Sequence, residues 1–203
     1  SAGAVVAGRG TLHGAWYNPA LIAGVAETSA LLDLTLTAPD FTYTRASSYN
    51  ERGELVSFSP VSNNAPPTLA PLLGLAHSFG LQHWRFALSG FAPNGVASRY
   101  PLNGPQRYQL IDTTGSLVWM TSLAVAYAPT PALWLGAALV NTSAKIRQAL
   151  MASGYPGFLG APEDPAFDVL VDTEGSSALN LSAQLGARLT LNHLPNRLSL
   201  GAS

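Results

Sequence analysis

The 203 residues carry 10 Lys and Arg against 11 Asp and Glu, a net charge of −1. About one residue in ten is therefore charged, where a soluble globular chain has about a quarter. Apolar residues make up 47%, with 19 Gly, 15 Pro and no Cys, and the mean hydropathy is +0.19. Disorder, which needs low hydrophobicity and high charge, is excluded. So is nucleic-acid binding through clustered basic residues, and so is every chemistry that needs a thiolate.

In chain order, the first periodic segment sets Leu32, Leu34 and Leu36 against Asp33, Thr35 and Thr37. From His83, Trp84, Phe86 and Leu88 alternate with Arg85, Ala87 and Ser89. The 32 residues between Asp112 and Lys145 are free of charge. Pro129 and Pro131 interrupt them, which breaks a spanning helix. The flanking pieces, 116–128 and 132–142, fit transmembrane strands of about 9–11 residues instead. From Leu179 to Thr190 the odd positions are Leu or Ala and the even ones are polar or Gly, the period-two signature of a strand. A soluble β-sandwich also alternates, but its strands average about five or six residues, and its surface would carry far more charge.

Three strand–turn–strand units follow one another: Gly74–His77 with Phe86–Gly90, Val125–Tyr127 with Leu133–Ala137, and Gly186–Leu189 with Leu198–Ala202. Their internal turns are short, including the one expected at Asn192–Asn196, while 93–115 and 141–176 are long connections. Short turns at one end and long loops at the other characterise an outer-membrane barrel. Closure is required because lipid offers no partner for edge amides. With the Leu-rich face outward, Leu117, Trp119, Leu123, Val125, Leu133, Leu135 and Leu139 meet lipid. Met120, Ser122, Ala124, Ala126, Gly136 and Ala138 then face inward, an interior too apolar for an ion-selective pore. Asp33, His83, Arg85, Gln184 and Arg188 fall on the same inferred inner face.

The opening Gly8-Arg9-Gly10, then Ala15-Trp16-Tyr17-Asn18-Pro19-Ala20-Leu21, resembles the N-terminal plug of FadL-type outer-membrane transporters of long-chain fatty acids and aromatic hydrocarbons. Phe91-Ala92-Pro93, Tyr100-Pro101, Gly104-Pro105-Gln106-Arg107-Tyr108 and the Ala126-Tyr127 hairpin are similar in the same order. The pair Leu21-Ile22 departs from the Gly-Leu of many members. The resemblance implies an all-β fold, a transmembrane antiparallel β-barrel, in which residues 1–27 form the plug and residues 28–203 a partial barrel. About seven strands are counted here, against a closed barrel of about 14, so the sequence reads as the N-terminal part of a longer protein. The implied function is passive uptake of hydrophobic compounds such as long-chain fatty acids through a plugged barrel in the outer membrane of a Gram-negative bacterium. The implied surroundings are outer-membrane lipid and lipopolysaccharide, around a monomer without cofactor or metal. A structural or adhesive barrel is the alternative.

Asn18, Pro19 and Ala20 are the candidate plug motif, since Pro fixes φ and Asn bonds nearby backbone. Arg85, Arg188, His83, Asp33 and Met120 are the candidate lumen residues. A guanidinium fork suits a carboxylate cargo, and the competing role is an internal network bracing the plug, for example Asp33 with an Arg. In the long outer connection, Ile146, Leu150 and Met151 suit one face of a short helix ended by Gly154. With Tyr155, Phe158 and Leu159 they form a candidate capture surface, or else pack on the upper wall. Asp112, Glu163, Asp164, Asp168, Asp172 and Glu174 read as a solvated acidic face. His13, His77, His83 and His193 have no metal-ligand spacing, and no nucleophile elbow or phosphate loop occurs, so no enzyme is expected.

Overall fold

The computed structural model describes residues 5–50, 52–93, 97–157, 163–191 and 198–203. The turn expected at Asn192–Asn196 lies outside the described residues, as do His193, Phe158 and Leu159. Among those described, the strands are β1 (Thr28–Thr37), β2 (Thr42–Tyr43), β3 (Ser48–Tyr49), β4 (Leu55–Val56), β5 (Val61–Ser62) and β6 (Thr68–His77). There follow β7 (Trp84–Phe91), β8 (Leu117–Tyr127), β9 (Leu133–Ser153), β10 (Asp168–Ser177), β11 (Leu181–Leu191) and β12 (Leu198–Ala202). Helical structure is limited to short 3-10 turns, and no helix among the described residues is long and apolar enough to cross a membrane.

One antiparallel sheet runs β1-β6-β7-β8-β9-β11-β12, while β2–β5 and β3–β4 form two small ladders in the β1–β6 connection. β11 pairs with the first part of β9 and β10 with its continuation from Ala144 to Ser153. Across the break between them, Asn180 N donates to Asn141 Oδ1 at 2.9 Å and Asn180 Nδ2 to Thr142 O at 2.7 Å. β10 and β11 therefore act as one stave, and the wall has seven, matching the expected all-β partial barrel. Among the described residues the sheet is open, with β1 and β12 at its edges.

The two faces differ as period two demands. Leu32, Leu34, Leu75, Leu88, Leu123, Leu139 and Leu185 are all exposed, the last at 73%. Between them on the opposite face lie buried Ala76, Ala87, Ser89, Ser122, Ala124, Ala126, Ala138 and Val140. In water, such a row of exposed leucines would be anomalous. On the outside of a barrel it is the apolar band that lipid covers.

Two expectations are corrected. The helix over Ile146–Met151 does not form, because β9 runs on to Ser153 and occupies much of the expected loop. Ala144–Ser153 bonds to β10 along one edge. Along the other edge, Ile111 N donates to Ala149 O at 2.7 Å, Ala149 N to Asp112 O at 2.8 Å and Met151 N to Arg107 O at 2.7 Å. One full ladder and these further bonds outweigh a helix preference worth a few tenths of a kcal/mol per residue. The acidic residues do not form one solvated face either: Asp168 is buried, while Asp172 and Glu174 sit in β10 and pair with Arg147 and Lys145.

Candidate functional site

Residues 5–27 lie against the inner face of the wall. Two 3-10 turns, His13–Trp16 and Pro19–Gly24, are joined through Tyr17 and Asn18. Asn18 caps the second: its backbone is extended, its Oδ1 accepts from Ala20 N at 3.0 Å, and Pro19 occupies the first position, where a missing N–H costs nothing. Its Nδ2 donates to Val6 O at 2.8 Å and to Ala187 O of β11 at 2.9 Å. A fully buried amide thus ties the turn, the preceding chain and the wall together. Leu12, Ala15 and Ile22 fill the remaining space against Ala76, Ala87, Ala124, Ala126, Ala138 and Val140.

The wall admits this segment because it lacks side chains at the points of contact. Gly136 of β9 and Gly186 of β11 are direct register partners. A Cβ on Gly136 would overlap Ala20 N and the Pro19 carbonyl carbon, and one on Gly186 would overlap Asn18 Oδ1. On β12, a Cβ at Gly201 would overlap Val6 O. Gly136 and Gly201 thus meet the segment's backbone and Gly186 the Asn18 and Pro19 side chains, a close approach that the absent Cβ permits.

Both candidate arginines on the inner face hold backbone. Arg85 Nε donates to Val25 O at 3.3 Å and its Nη1 to Trp84 O at 2.8 Å. Arg188 is buried, with Nε donating to Ala7 O at 3.3 Å, Nη2 to Ser199 Oγ at 3.2 Å, and its guanidinium 4.2 Å above the Trp134 ring. Met120 packs against the segment's core cluster. Gln184 Nε2 donates to Tyr17 O at 3.2 Å. His83 is corrected: it sits in the exposed β6–β7 turn, its Nδ1 2.9 Å from Ala128 O, and so is not on the wall. Asp33 shares the face of Leu31, which packs on the core cluster, but it is exposed and joins no ion pair among the described residues. The Asp33–Arg pair offered as an example of a brace is therefore not found among the described residues.

A second constellation binds the long connections. Arg107 Nε donates to Asp168 Oδ2 at 2.7 Å, with side chains only 9% and 4% exposed, and Tyr108 Oη donates to Asp168 Oδ1 at 2.7 Å. Arg107 Nη2 also reaches Glu163 O at 2.6 Å, while Arg45 grips the Glu163 carboxylate with both Nη atoms. Burial pushes the Asp168 carboxyl up, but the bonds from Tyr108 and Arg107 and the Arg107 charge outweigh it, so its pKa lies below the usual carboxylate value. Glu163 is lowered too, chiefly by the Arg45 hydrogen bond. Arg107 and Tyr108 came from the recognisable Gly104–Tyr108 stretch, but nothing local pointed to a carboxylate 60 residues away.

The capture candidates are dispersed. On a strand, Ile146 and Leu150 share one face and Met151 takes the other. Tyr155 lies beyond β9, its ring 6.1 Å from that of Phe167. β7 ends at Phe91, while β6 and β8 continue past it. The space this leaves is a cavity of about 530 Å³ lined by Thr68, Leu69, Pro93, Leu117, Val118 and Ile146.

No family model and no curated protein matches the chain. Among solved structures it is similar to the crystal structure of a Pseudomonas aeruginosa FadL homologue, with a TM-score of 0.71 and 16% identity. The match covers 98% of this chain and 48% of that one. The chain thus has the fold of that structure and spans about half its length.

Proposed function

We propose that this chain is the N-terminal part of an outer-membrane channel for passive uptake of hydrophobic compounds such as long-chain fatty acids, with residues 1–27 as its plug. The observation that supports this reading is the seat of Asn18-Pro19-Ala20 on Gly136 and Gly186, which fills the interior with a segment that covalent chemistry does not fix there. The leucine-rich exterior suits lipid, and the Ala-, Ser- and Gly-rich interior suits an apolar cargo better than a hydrated ion. Arg85 and Arg188 belong to the anchorage of the plug, because their donors are directed at Val25 O and Ala7 O.

Full-length protein in liposomes tests this. Entry of radiolabelled oleate without ion current is the expected result. Ion current without oleate entry would make it a water-filled pore, and neither would leave a structural or adhesive barrel. Arg85→Ala and Arg188→Ala should alter uptake of oleate and of a neutral hydrocarbon alike. Selective loss of oleate would instead assign these residues to the cargo's carboxylate.

A further inference from the structure

Trp16 ends the first 3-10 turn, two residues before Asn18. Its ring is half-buried and meets Phe91 edge-on, with centroids 4.5 Å apart, and it packs on the core cluster beside Met120. Its indole Nε1 is buried and, among the described residues, has no hydrogen-bond acceptor. Trp119 by contrast donates its Nε1 to Thr121 Oγ1 at 3.0 Å. A buried N–H without an acceptor destabilises the state that buries it, because its bond to water is lost and nothing replaces it. The seated segment is therefore tied to the wall by the Asn18 bond to Ala187 O and the Arg85 and Arg188 bonds to Val25 O and Ala7 O, and opposed by the Trp16 N–H two residues before Asn18. Phe91 is the last residue of β7 before the long connection to β8, so the contact of Trp16 with it lies at the loop end of that strand.

We infer that Trp16 senses cargo: its indole N–H gains an acceptor when the segment lifts, and a cargo bearing a hydroxyl, carbonyl or carboxylate oxygen supplies it, whereas a pure hydrocarbon does not. This rests on the transport reading above. A ligand shifts an equilibrium only by its differential affinity for the two states. One hydrogen bond made in the lifted state and absent from the seated one amounts to a shift of roughly five- to thirtyfold.

The test uses full-length protein in liposomes, with radiolabelled dodecan-1-ol and dodecane as matched probes. Dodecan-1-ol should raise protease access to residues 5–27 several-fold more than dodecane. Trp16→Phe, which keeps the ring and removes the donor, should abolish that difference and lower protease access without probe roughly five- to tenfold. Equal responses to the two probes in the unaltered protein, or a Trp16→Phe protein that keeps the difference, would overturn the inference while leaving transport intact. Entry of neither probe would overturn both readings. Should Trp16→Phe fail to fold, nitrogen-15 indole spectra of the unaltered protein, with its four Trp, decide. A downfield shift of one indole proton with dodecan-1-ol but not dodecane supports sensing, and no shift in any of the four sinks it.

Discussion

The wall near the short turns and the connections at the opposite end are held by different forces. At the turn end, the segment sits directly on Gly136, Gly186 and Gly201, is sealed by Ala and Ile side chains, and is tied to the wall by hydrogen bonds of Asn18, Arg85 and Arg188 to neutral carbonyls. At the loop end, three separate connections meet at Arg107, Asp168, Glu163 and Arg45, where charge replaces close packing. The turn-end contact depends on shape and tolerates salt and acid. The loop-end contact depends on ionisation. One chain thus closes its interior with an arrangement insensitive to the medium and roofs it with one that responds to it.

The sharpest way to break the first region is Gly186→Val. Its side chain would enter the space of Asn18 Oδ1 and Pro19, and overpacking of this kind costs about 3 kcal/mol or more in a tight site. Spontaneous ion current should rise at least tenfold, with the barrel's heat-modified gel mobility unchanged. The lipid-facing side of the same wall predicts a nearly equal loss for Leu123→Arg, about 2–4 kcal/mol at the bilayer midplane. Ser182→Arg, on the inward face, should refold into vesicles almost normally, and equal losses at the two positions would refute the assigned faces.

Asn18→Ala removes the cap and leaves Val6 O and Ala187 O without their donor, a loss of about 2 kcal/mol in seating. Protease access to residues 5–27 should increase accordingly. In the second region, Arg107→Ala should speed proteolysis and hydrogen exchange within 97–112 and 163–168 while sparing residues 5–27. Asp168 and Glu163 both titrate below their ordinary values when folded. Their contribution is therefore complete above the ordinary carboxylate range of about 4 and is lost as pH falls from there towards the depressed values. Acid should loosen the loops before it affects the seat. The smallest effect belongs to Lys145→Ala. Its partner Glu174 is 53% exposed and Lys145 itself 51%, so the change should stay within about 0.5 kcal/mol by thermal or chemical denaturation.

The faces of the staves were legible because Leu179–Thr190 and Leu32–Thr37 alternate without interruption, and the hairpins because Pro and Asn punctuate them. The upper part of β9 was not. Ala-Lys-Ile-Arg-Gln-Ala-Leu-Met places apolar groups at helical spacing, and only pairing with residues 19 to 33 positions later makes it a strand. The Asn18 motif could be singled out locally, but its seat required the register that sets Gly136 opposite Gly186. His83 missed the wall by a single position, since β7 begins at Trp84 and His83 is the exposed turn residue before it. Asp33 was legible as inward by alternation, but its lack of an ion pair depends on where the arginines reach.

β9 has one further consequence. Its 21 residues run without a break, which at about 3.3 Å per residue makes a beam of roughly 65–70 Å, more than twice the thickness of the hydrocarbon layer. Gly136, under Pro19 and Ala20, and Met151, bonded to Arg107 O, sit on that one beam. No hinge separates the two fittings. A tug on the long connections is therefore delivered to the far end as a tilt of the stave rather than absorbed along the way, which makes this strand a mechanical axle between the Arg107 cluster and the seat of Asn18.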